Sequence, residues 1–276
     1  MKENKKGKLY IVATPIGNLE DITLRAIRIL KEVDLIAAED TRHSLKLLNS
    51  LEITKPLISY HRHNEEIKTD ILIEKLLEGQ EIALISDAGT PGICDPGEIV
   101  IQKCIENNID IVPIPGACAM INALITSGIN TKEFTFLGFL PLHKKLRKEK
   151  LKEIQTTQKT LILYEAPHKL KNTLNDLKEI LSDRKVVVAR ELTKIHEEWI
   201  RGTIEDIIEK TENIKGEIVI IIEGCEKPDT ENDWQRLTLE EHYQLYEKQG
   251  IEKKEIIKKI AKDRHLSKNE VYQKFI

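Results

Sequence analysis

Aromatic residues are scarce in this chain: 2 Trp, 6 Tyr and 4 Phe make up 4% of its 276 residues. That argues against a lectin-like aromatic surface, while leaving nucleic-acid binding open. Apolar runs of membrane-spanning length are missing, so no transmembrane helix is expected. The first eight residues are polar and basic and lack the apolar core of a secretory signal. Cysteine is limited to Cys94, Cys104, Cys118 and Cys225, with no CxxC pair, so all four read as reduced, packed thiols. Neither GxGxxG nor GxxxxGK[ST] occurs, which disfavours a dinucleotide or an NTP γ-phosphate. The formal charge is only −3, so affinity for nucleic acid has to come from local basic patches. A soluble cytoplasmic protein is expected, and disulfide scaffolds and exported hydrolases drop out.

What is present points to an α/β fold. Hydrophobic residues form 40% of the chain and charged residues 32%, enough for a sizeable core under a solvated surface. The length suits one large domain or two moderate ones. Segments 9–13, 35–38, 56–59, 81–86 and 109–112 read as strands. Helical patterns lie between them, such as Ile22, Ala26, Ile29 and Val33 at spacings of four, three and four, with Asp21 placed to cap. Strand and helix in turn predict a largely parallel sheet covered by helices over residues 8–115. Pro113-Ile114-Pro115-Gly116 breaks the chain, and a helix is expected over 117–126. Strands at 134–137, 160–164, 186–191, 197–202 and 217–223 then predict a second domain over 116–225. The segments at 186–191 and 197–202 are too close for a helical crossover, so a hairpin and a mixed sheet are expected. Residues 226–236 read as a linker. Residues 237–276 carry three short helical patterns and no strand.

Three Gly/Pro-rich loops follow expected strands: Thr14-Pro15-Ile16-Gly17-Asn18, Ser86-Asp87-Ala88-Gly89-Thr90-Pro91-Gly92 and Pro113-Ile114-Pro115-Gly116-Ala117. Any one of them serves as ordinary punctuation between strand and helix. Three on one sheet edge, one carrying Asp87, suit a small-molecule cleft at the carboxyl ends of the strands.

The same loops, with Ala38-Glu39-Asp40-Thr41-Arg42, Phe136-Leu137-Gly138-Phe139-Leu140-Pro141, Tyr164-Glu165-Ala166-Pro167-His168-Lys169 and Ala189-Arg190-Glu191-Leu192-Thr193-Lys194, resemble the tetrapyrrole methylase superfamily. More narrowly, they resemble its ribosomal RNA branch. The resemblance runs in order from residue 8 to about 225. It implies two α/β domains with S-adenosylmethionine in the cleft between them. Separately, His61 and His63 lack an evident third ligand, so no metal is expected, and the helical patterns of the C-terminal segment resemble a helix-turn-helix. The family resemblance further implies that Asp87, Ala88, Gly89 and Thr90, in the loop closed by Ile93, hold the methionine and ribose ends of S-adenosylmethionine. Pro15 belongs to the same site, Ala117 and Leu140 would line the other side, and Tyr164, Glu165 and Ala166 would face the adenine. The implied substrate is a cytidine 2′-hydroxyl in the decoding region of 16S rRNA, within the small ribosomal subunit, and the implied assembly is a homodimer. Tetrapyrrole-acting relatives carry a glycine-rich first loop and a GDP-type sequence near Asp87. Neither occurs here, which favours the RNA branch over a tetrapyrrole C-methyltransferase or a diphthine-synthase relative. A non-catalytic RNA-binding assembly factor is the rival from outside the enzymes.

A ribose hydroxyl is a poor nucleophile at neutral pH, so a base or an oriented acceptor should assist. Glu39 and Asp40 beside Arg42 are the catalytic candidates, against a structural ion pair, and Arg42 alternatively suits a neighbouring phosphate. His61-Arg62-His63-Asn64-Glu65 reads as RNA-facing or structural. His168 and Lys169 are placed to cap a helix, and Arg190 and Glu191 to pair locally or reach the cleft. Residues 143–159 hold seven Lys/Arg against two Asp/Glu, and residues 250–276 hold eight against four. Each is either a phosphate-binding footprint or a solvated, docked helix. Ser267 with Glu270 forms a capping-box pair before the last helical pattern, and Ala261 is small enough for close helix crossing.

Overall fold

Short runs of Ile, Leu, Val and Ala make the strands of the first sheet. β1 (Leu9–Val12), β2 (Leu35–Ala38), β3 (Leu57–Ser59), β4 (Ile82–Ile85) and β5 (Ile111–Ile114) pair in parallel in the order β3-β2-β4-β1-β5. Every residue of β2 and β4 is buried. Strands covered on both faces read as continuous apolar runs for that reason. The helices α1 (Leu24–Glu32), α2 (Thr41–Ser50), α3 (Glu65–Leu77) and α4 (Glu98–Glu106) make the crossovers. The computed structural model describes residues 5–181, 184–211, 214–225, 237–248, 250–264 and 266–275.

Two sequence expectations need correction here. Asp21 does not cap α1; it ends a short 3₁₀ turn, Leu19–Asp21, whose own cap is Asn18. Thr23 caps α1 by accepting from the Ala26 N–H at 3.1 Å, a hydroxyl in the position where the free N–H groups of the first turn need one. The expected strand end at Val112 also fails, because β5 runs on through Pro113 to Ile114. Since β5 is an edge strand, an N–H missing on its open side costs the sheet nothing.

The second sheet is mixed, in the order β6-β7-β10-β8-β9, built from β6 (Phe134–Gly138), β7 (Thr160–Glu165), β8 (Val186–Arg190), β9 (Glu198–Gly202) and β10 (Ile218–Ile222). β6 and β7 are parallel and the rest antiparallel, with β8 and β9 forming the expected hairpin. Side chains alternate between two cores, as the strand period of two requires. Leu161, Leu163, Val186, Val188, Ile218, Ile220 and Ile222 face one core with residues of α6 (Lys144–Ile154), α7 (Pro167–Leu181) and α8 (Ile204–Lys210). Ile162, Val187, Ala189, Val219 and Ile221 face the other, against Ala123 and Leu124 of α5 (Ala119–Ser127). Ile16 and Ala88, from loops of the first sheet, complete that second cluster. α5 starts two residues later than expected and stops at Gly128, whose φ of +79° is the left-handed conformation that ends helices. α7 starts on Pro167, so His168 and Lys169 lie in its first turn rather than before it.

Both sheets belong to one compact unit, Met1–Cys225, and Glu226–Ile276 forms another. Its described part is α9 (Leu239–Lys248), α10 (Lys253–Asp263) and α11 (Lys268–Gln273), the three helical patterns read from sequence. Ile256, Ile257, Ile260, Ala261 and Val271 form its core. The Ser267–Glu270 capping box is present, with the Glu270 N–H donating to Ser267 Oγ at 3.2 Å and the Ser267 N–H to Glu270 Oε2 at 2.7 Å. The expected linker at 226–236, and His265, lie outside the described residues. Among the described residues, no helix is long and apolar enough to cross a membrane.

Candidate active site

The three Gly/Pro loops meet at the carboxyl edge of the parallel sheet and are stitched together by backbone bonds. Thr14 and Gly89 exchange hydrogen bonds, N–H to O at 2.8 and 3.1 Å, and Thr90 Oγ1 donates to the Ala117 carbonyl at 3.1 Å. Gly89 has a φ of +81°, and a Cβ there would stand 3.2 Å from Ile16 Cγ2. Only glycine lets the backbone turn and press on the first loop at this point. Gly17 plays the matching part opposite the second sheet: a Cβ on it would fall 2.4 Å from Lys194 Cγ and 2.9 Å from Thr193 Oγ1.

Between the loops and the second sheet lies a cleft of about 460 Å³, within the range of sites that take cofactor-sized molecules. Its apolar lining includes Ile16, Ile93, Phe139, Leu192 and Val219. Among the described residues its charged lining is acidic: Glu39, Asp87, Asp95, Glu165 and Glu217, with no Lys or Arg.

These carboxylates differ in environment. Asp87 Oδ1 accepts from the Asp40 N–H at 3.0 Å. Burial pushes the Glu39 carboxyl up, and the charge of Asp87 adds to it. Burial and the charge of Glu39 raise Asp95 to about 6, against a partial opposing pull from Arg62. Glu165 is held by Thr173 Oγ1 at 2.5 Å and by the Ala166 N–H at 2.8 Å. Glu217 pairs with Lys194 at 2.9 Å, and the same ammonium reaches Glu191 at 2.9 Å. Arg190 pairs with Glu198 at 2.6 Å, so both Arg190 and Glu191 find local partners. Tyr164 receives the Met120 N–H at 3.2 Å and stands edge-on to Phe136 and Phe139, with ring centroids 5.0 and 5.8 Å away. Burial pushes its hydroxyl well above the usual tyrosine range.

Of the residues singled out from sequence, Glu39, Asp87, Ala88, Gly89, Thr90, Ile93, Tyr164, Glu165 and Ala166 come together on the cleft wall. Pro15, Ala117 and Leu140 do not line it; their neighbours Ile16, Cys118 and Phe139 do. Leu140 turns into the core beneath the second sheet and is 4% exposed. Asp40 and Arg42 stand outside the lining. Asp40 caps α2 and binds Arg42 Nε at 3.1 Å and Nη2 at 2.8 Å, while the Arg42 side chain is 88% exposed. The Arg42 guanidinium holds the Asp40 carboxyl far below the usual carboxylate range. Sequence reasoning missed Asp95, Phe139 and Glu217. Asp95 had a signal: Cys94-Asp95-Pro96-Gly97 continues the Asp87 loop without a break.

His61 is half-buried and bonded within its own turn, whereas His63 is exposed. His61 Nε2 meets Asn64 Nδ2 at 3.2 Å, the His61 N–H donates to Asn64 Oδ1 at 2.8 Å, and the Arg62 guanidinium donates to the Cys94 carbonyl. Among the described residues, no three His, Cys, Asp or Glu side chains are grouped to hold a metal ion. On α6, Arg147 turns inward to Asp176 at 2.6 Å and Thr173 at 2.8 Å, and Lys150 pairs with Glu153. Lys144, Lys145, Lys148 and Lys152 stay exposed. In the helical unit, Arg264 likewise turns inward, to the Leu237 carbonyl at 2.6 Å, and Lys254, Lys258, Lys262 and Lys268 are exposed.

The family Tetrapyrrole (Corrin/Porphyrin) Methylases matches residues 8–208. The chain belongs to the tetrapyrrole methylase family. Within that family it is similar along its length to proteins named Ribosomal RNA small subunit methyltransferase I. The one from Halalkalibacterium halodurans is 50% identical over 98% of this chain and 95% of its own. The one from Bacillus subtilis is 48% identical over 98% and 94%. Among solved structures, a diphthine synthase shares the fold with a TM-score of 0.63 at 13% identity, covering 79% of this chain and 90% of its own. Uroporphyrin-III C-methyl transferase from Thermus thermophilus, complexed with S-adenyl homocysteine, gives 0.56 at 16% identity, over 79% and 97%. The expected tetrapyrrole-methylase-like α/β fold with C-terminal helices is thus the fold found.

Proposed function

We propose that this methylase transfers a methyl group from S-adenosylmethionine to the 2′-hydroxyl of a cytidine in the decoding region of 16S rRNA, in the small ribosomal subunit. The observation that carries the reading is the acidic, apolar-walled cleft in a chain about half identical to small-subunit rRNA methyltransferases. The residues fit the methyl donor, which brings an ammonium and a sulfonium, both cationic. Among the described residues, five carboxylates and no cation line the cleft, and Gly89 opens the loop backbone where a side chain would press on Ile16. When bound, the sulfonium supplies an already electrophilic methyl group, so the protein's work is alignment.

In this reading Asp87, Ala88, Gly89, Thr90 and Ile93 hold the methionine and ribose ends. Tyr164, Glu165 and Ala166 flank the adenine. Pro15, Ala117 and Leu140 act by placing Ile16, Cys118 and Phe139. Glu39 faces the cationic end of the donor. Asp40 locks Arg42 in place, and Arg42 offers its exposed guanidinium to a phosphate beside the target. The boundary near residue 115 separates two domains that close on the cleft, and a second copy of the chain completes a homodimer in the cytoplasm. The exposed lysines of α6 and of the helical unit bind RNA phosphates.

The test uses labelled S-adenosylmethionine with small subunits and naked 16S rRNA from an unmodified strain. The product is digested and read at nucleoside level. Label in 2′-O-methylcytidine is the expected result. No transfer to either RNA, with the donor still bound, would overturn the substrate assignment in favour of a tetrapyrrole or protein. Failure to bind the donor would leave an assembly factor. A chain ending at Cys225 should keep donor binding and show weakened RNA methylation; equal loss of both argues against the reading.

A further inference from the structure

The stretch after Ile93 is held in a costly conformation at the cleft. Cys94 has a φ of +64° and Gly97 a φ of +149°, the first a left-handed conformation that a non-glycine residue holds only where its surroundings enforce it. Two residues of the segment after β3 pin the stretch at both ends. The Arg62 guanidinium donates to the Cys94 carbonyl, and Glu65 Oε1 accepts from the Gly97 N–H at 3.0 Å. A Cβ on Gly97 would stand 3.1 Å from Leu84 Cδ2, and one on Gly138 would stand 3.0 Å from Cys94 Sγ. The fold thus fixes this loop from below by β4 and from across the cleft by β6. Between the pins it presents one polar side chain to the cleft, Asp95.

Resting on the 2′-O-methyltransferase reading above, we propose that Asp95 is the proton acceptor for the hydroxyl that receives the methyl group. Apart from Glu39, which shares the cleft wall and acts on Asp95 through its charge, the other carboxylates are committed elsewhere. Asp40 is taken by Arg42, Glu165 by Thr173 and the Ala166 N–H, Glu217 by Lys194, and Asp87 by the Asp40 N–H. Asp95 accepts no hydrogen bond among the described residues. The groups that act on it are Glu39, Asp87 and Glu217, which repel its charge, and Arg62, which favours it. Burial and those three acids give it a proton affinity near neutrality, where a general base is most effective. In the step, a lone pair of the hydroxyl oxygen forms the new O–C bond and the C–S bonding pair returns to sulfur. The O–H proton passes to the Asp95 carboxylate and from there to water, so the charge of the sulfonium is balanced by the proton released.

Two variants of the full chain test this. Asp95→Asn should lower kcat by about 10²–10⁴-fold, while S-adenosylmethionine binding measured by calorimetry stays unchanged. Carbon-detected NMR of the free protein should show a carboxyl titrating near 6 that disappears in Asp95→Asn. In Glu39→Gln that resonance should survive and titrate at lower pH, and the acid limb of kcat/KM should move down with it. A kcat near wild type in Asp95→Asn overturns the proposal. So does loss of donor binding in that variant, which would make Asp95 a ligand instead of a base. So does an Asp95 carboxyl that titrates in the ordinary range. Wild-type protein without RNA methylation would refute the substrate reading instead, and the NMR titration remains readable in that case.

Discussion

The cleft and helix α6 lie in the same compact unit and handle charge in opposite ways. The cleft gathers Glu39, Asp87, Asp95, Glu165 and Glu217 around a largely apolar wall, with no cation among its described lining residues. α6 turns its arginine inward to Asp176 and leaves four lysines in solvent. Half-buried like charges raise one another's proton affinity and favour a cationic guest that relieves them. Solvated lysines change nothing in the fold and attract polyanions over a Debye length. A net charge of −3 hides both, because the two populations nearly cancel in the sum. Binding preference is written in where charges sit and how well water reaches them, and the whole-chain balance carries little of it.

The comparison breaks most sharply at Asp87. Asp87→Ala removes a carboxylate from the cleft and strands the Asp40 N–H that it accepts at 3.0 Å. Loss of a charged hydrogen-bond partner is worth about 1.5–3 kcal/mol. Donor affinity should therefore fall about 10–100-fold by calorimetry, with RNA affinity little changed. If donor affinity holds, the acidity of the cleft is not what recognises the donor.

The converse change is smaller. Replacing Lys144, Lys145, Lys148 and Lys152 together by Ala should weaken RNA binding about tenfold at moderate salt and leave donor affinity alone. The slope of log affinity against log salt should flatten by about 0.7–0.9 for each phosphate that the protein no longer neutralises. An unchanged slope would return α6 to the status of a solvated helix. Arg147→Ala offers the contrast on the same helix. It breaks a pair with Asp176 at 2.6 Å and a bond to Thr173, so it should lower thermal stability and leave the salt slope as it is.

How much of this is legible in the sequence depends on the range of the interaction. Most of the described strands follow from local apolar runs, and the hairpin of β8 with the more polar β9 follows from the short distance between them. Loop residues such as Asp87 and Gly89 announce themselves because Gly and Pro punctuate the ends of strands. Long-range matters are silent. Nothing local says that Pro113 sits on an edge strand, that Leu140 turns into a core while Phe139 faces the cleft, or that Asp95 stands clear, whereas the ion pair of Asp40 with Arg42, two residues on, is among the sequence readings. Asp21 reads as the cap of α1 from sequence, but the 3₁₀ turn at Leu19–Asp21 takes it up and Thr23 caps the helix instead. Side-chain direction and proton affinity are set by tertiary neighbours, so the candidate base could not be chosen until those neighbours were placed.

The smallest effect expected is also the one that tests the electrostatics of the cleft without any ligand. Asp95 has its proton affinity raised to about 6 in the folded chain, against about 3.9 for an unfolded aspartate. Between those values the folded chain holds more protons than the unfolded one, so this group makes stability fall as pH rises. Its contribution is whole below about pH 4 and gone above about pH 6. Asparagine at this position is neutral at every pH and escapes that loss. Asp95→Asn should therefore be more stable than wild type at pH 7.5, by about 1 kcal/mol after allowing for the partial exposure of the group. The gain should shrink through pH 6 and vanish near pH 4 when urea midpoints are compared. A variant less stable at neutral pH would mean that Arg62 outweighs the three acids, and that Asp95 is held as one half of an ion pair.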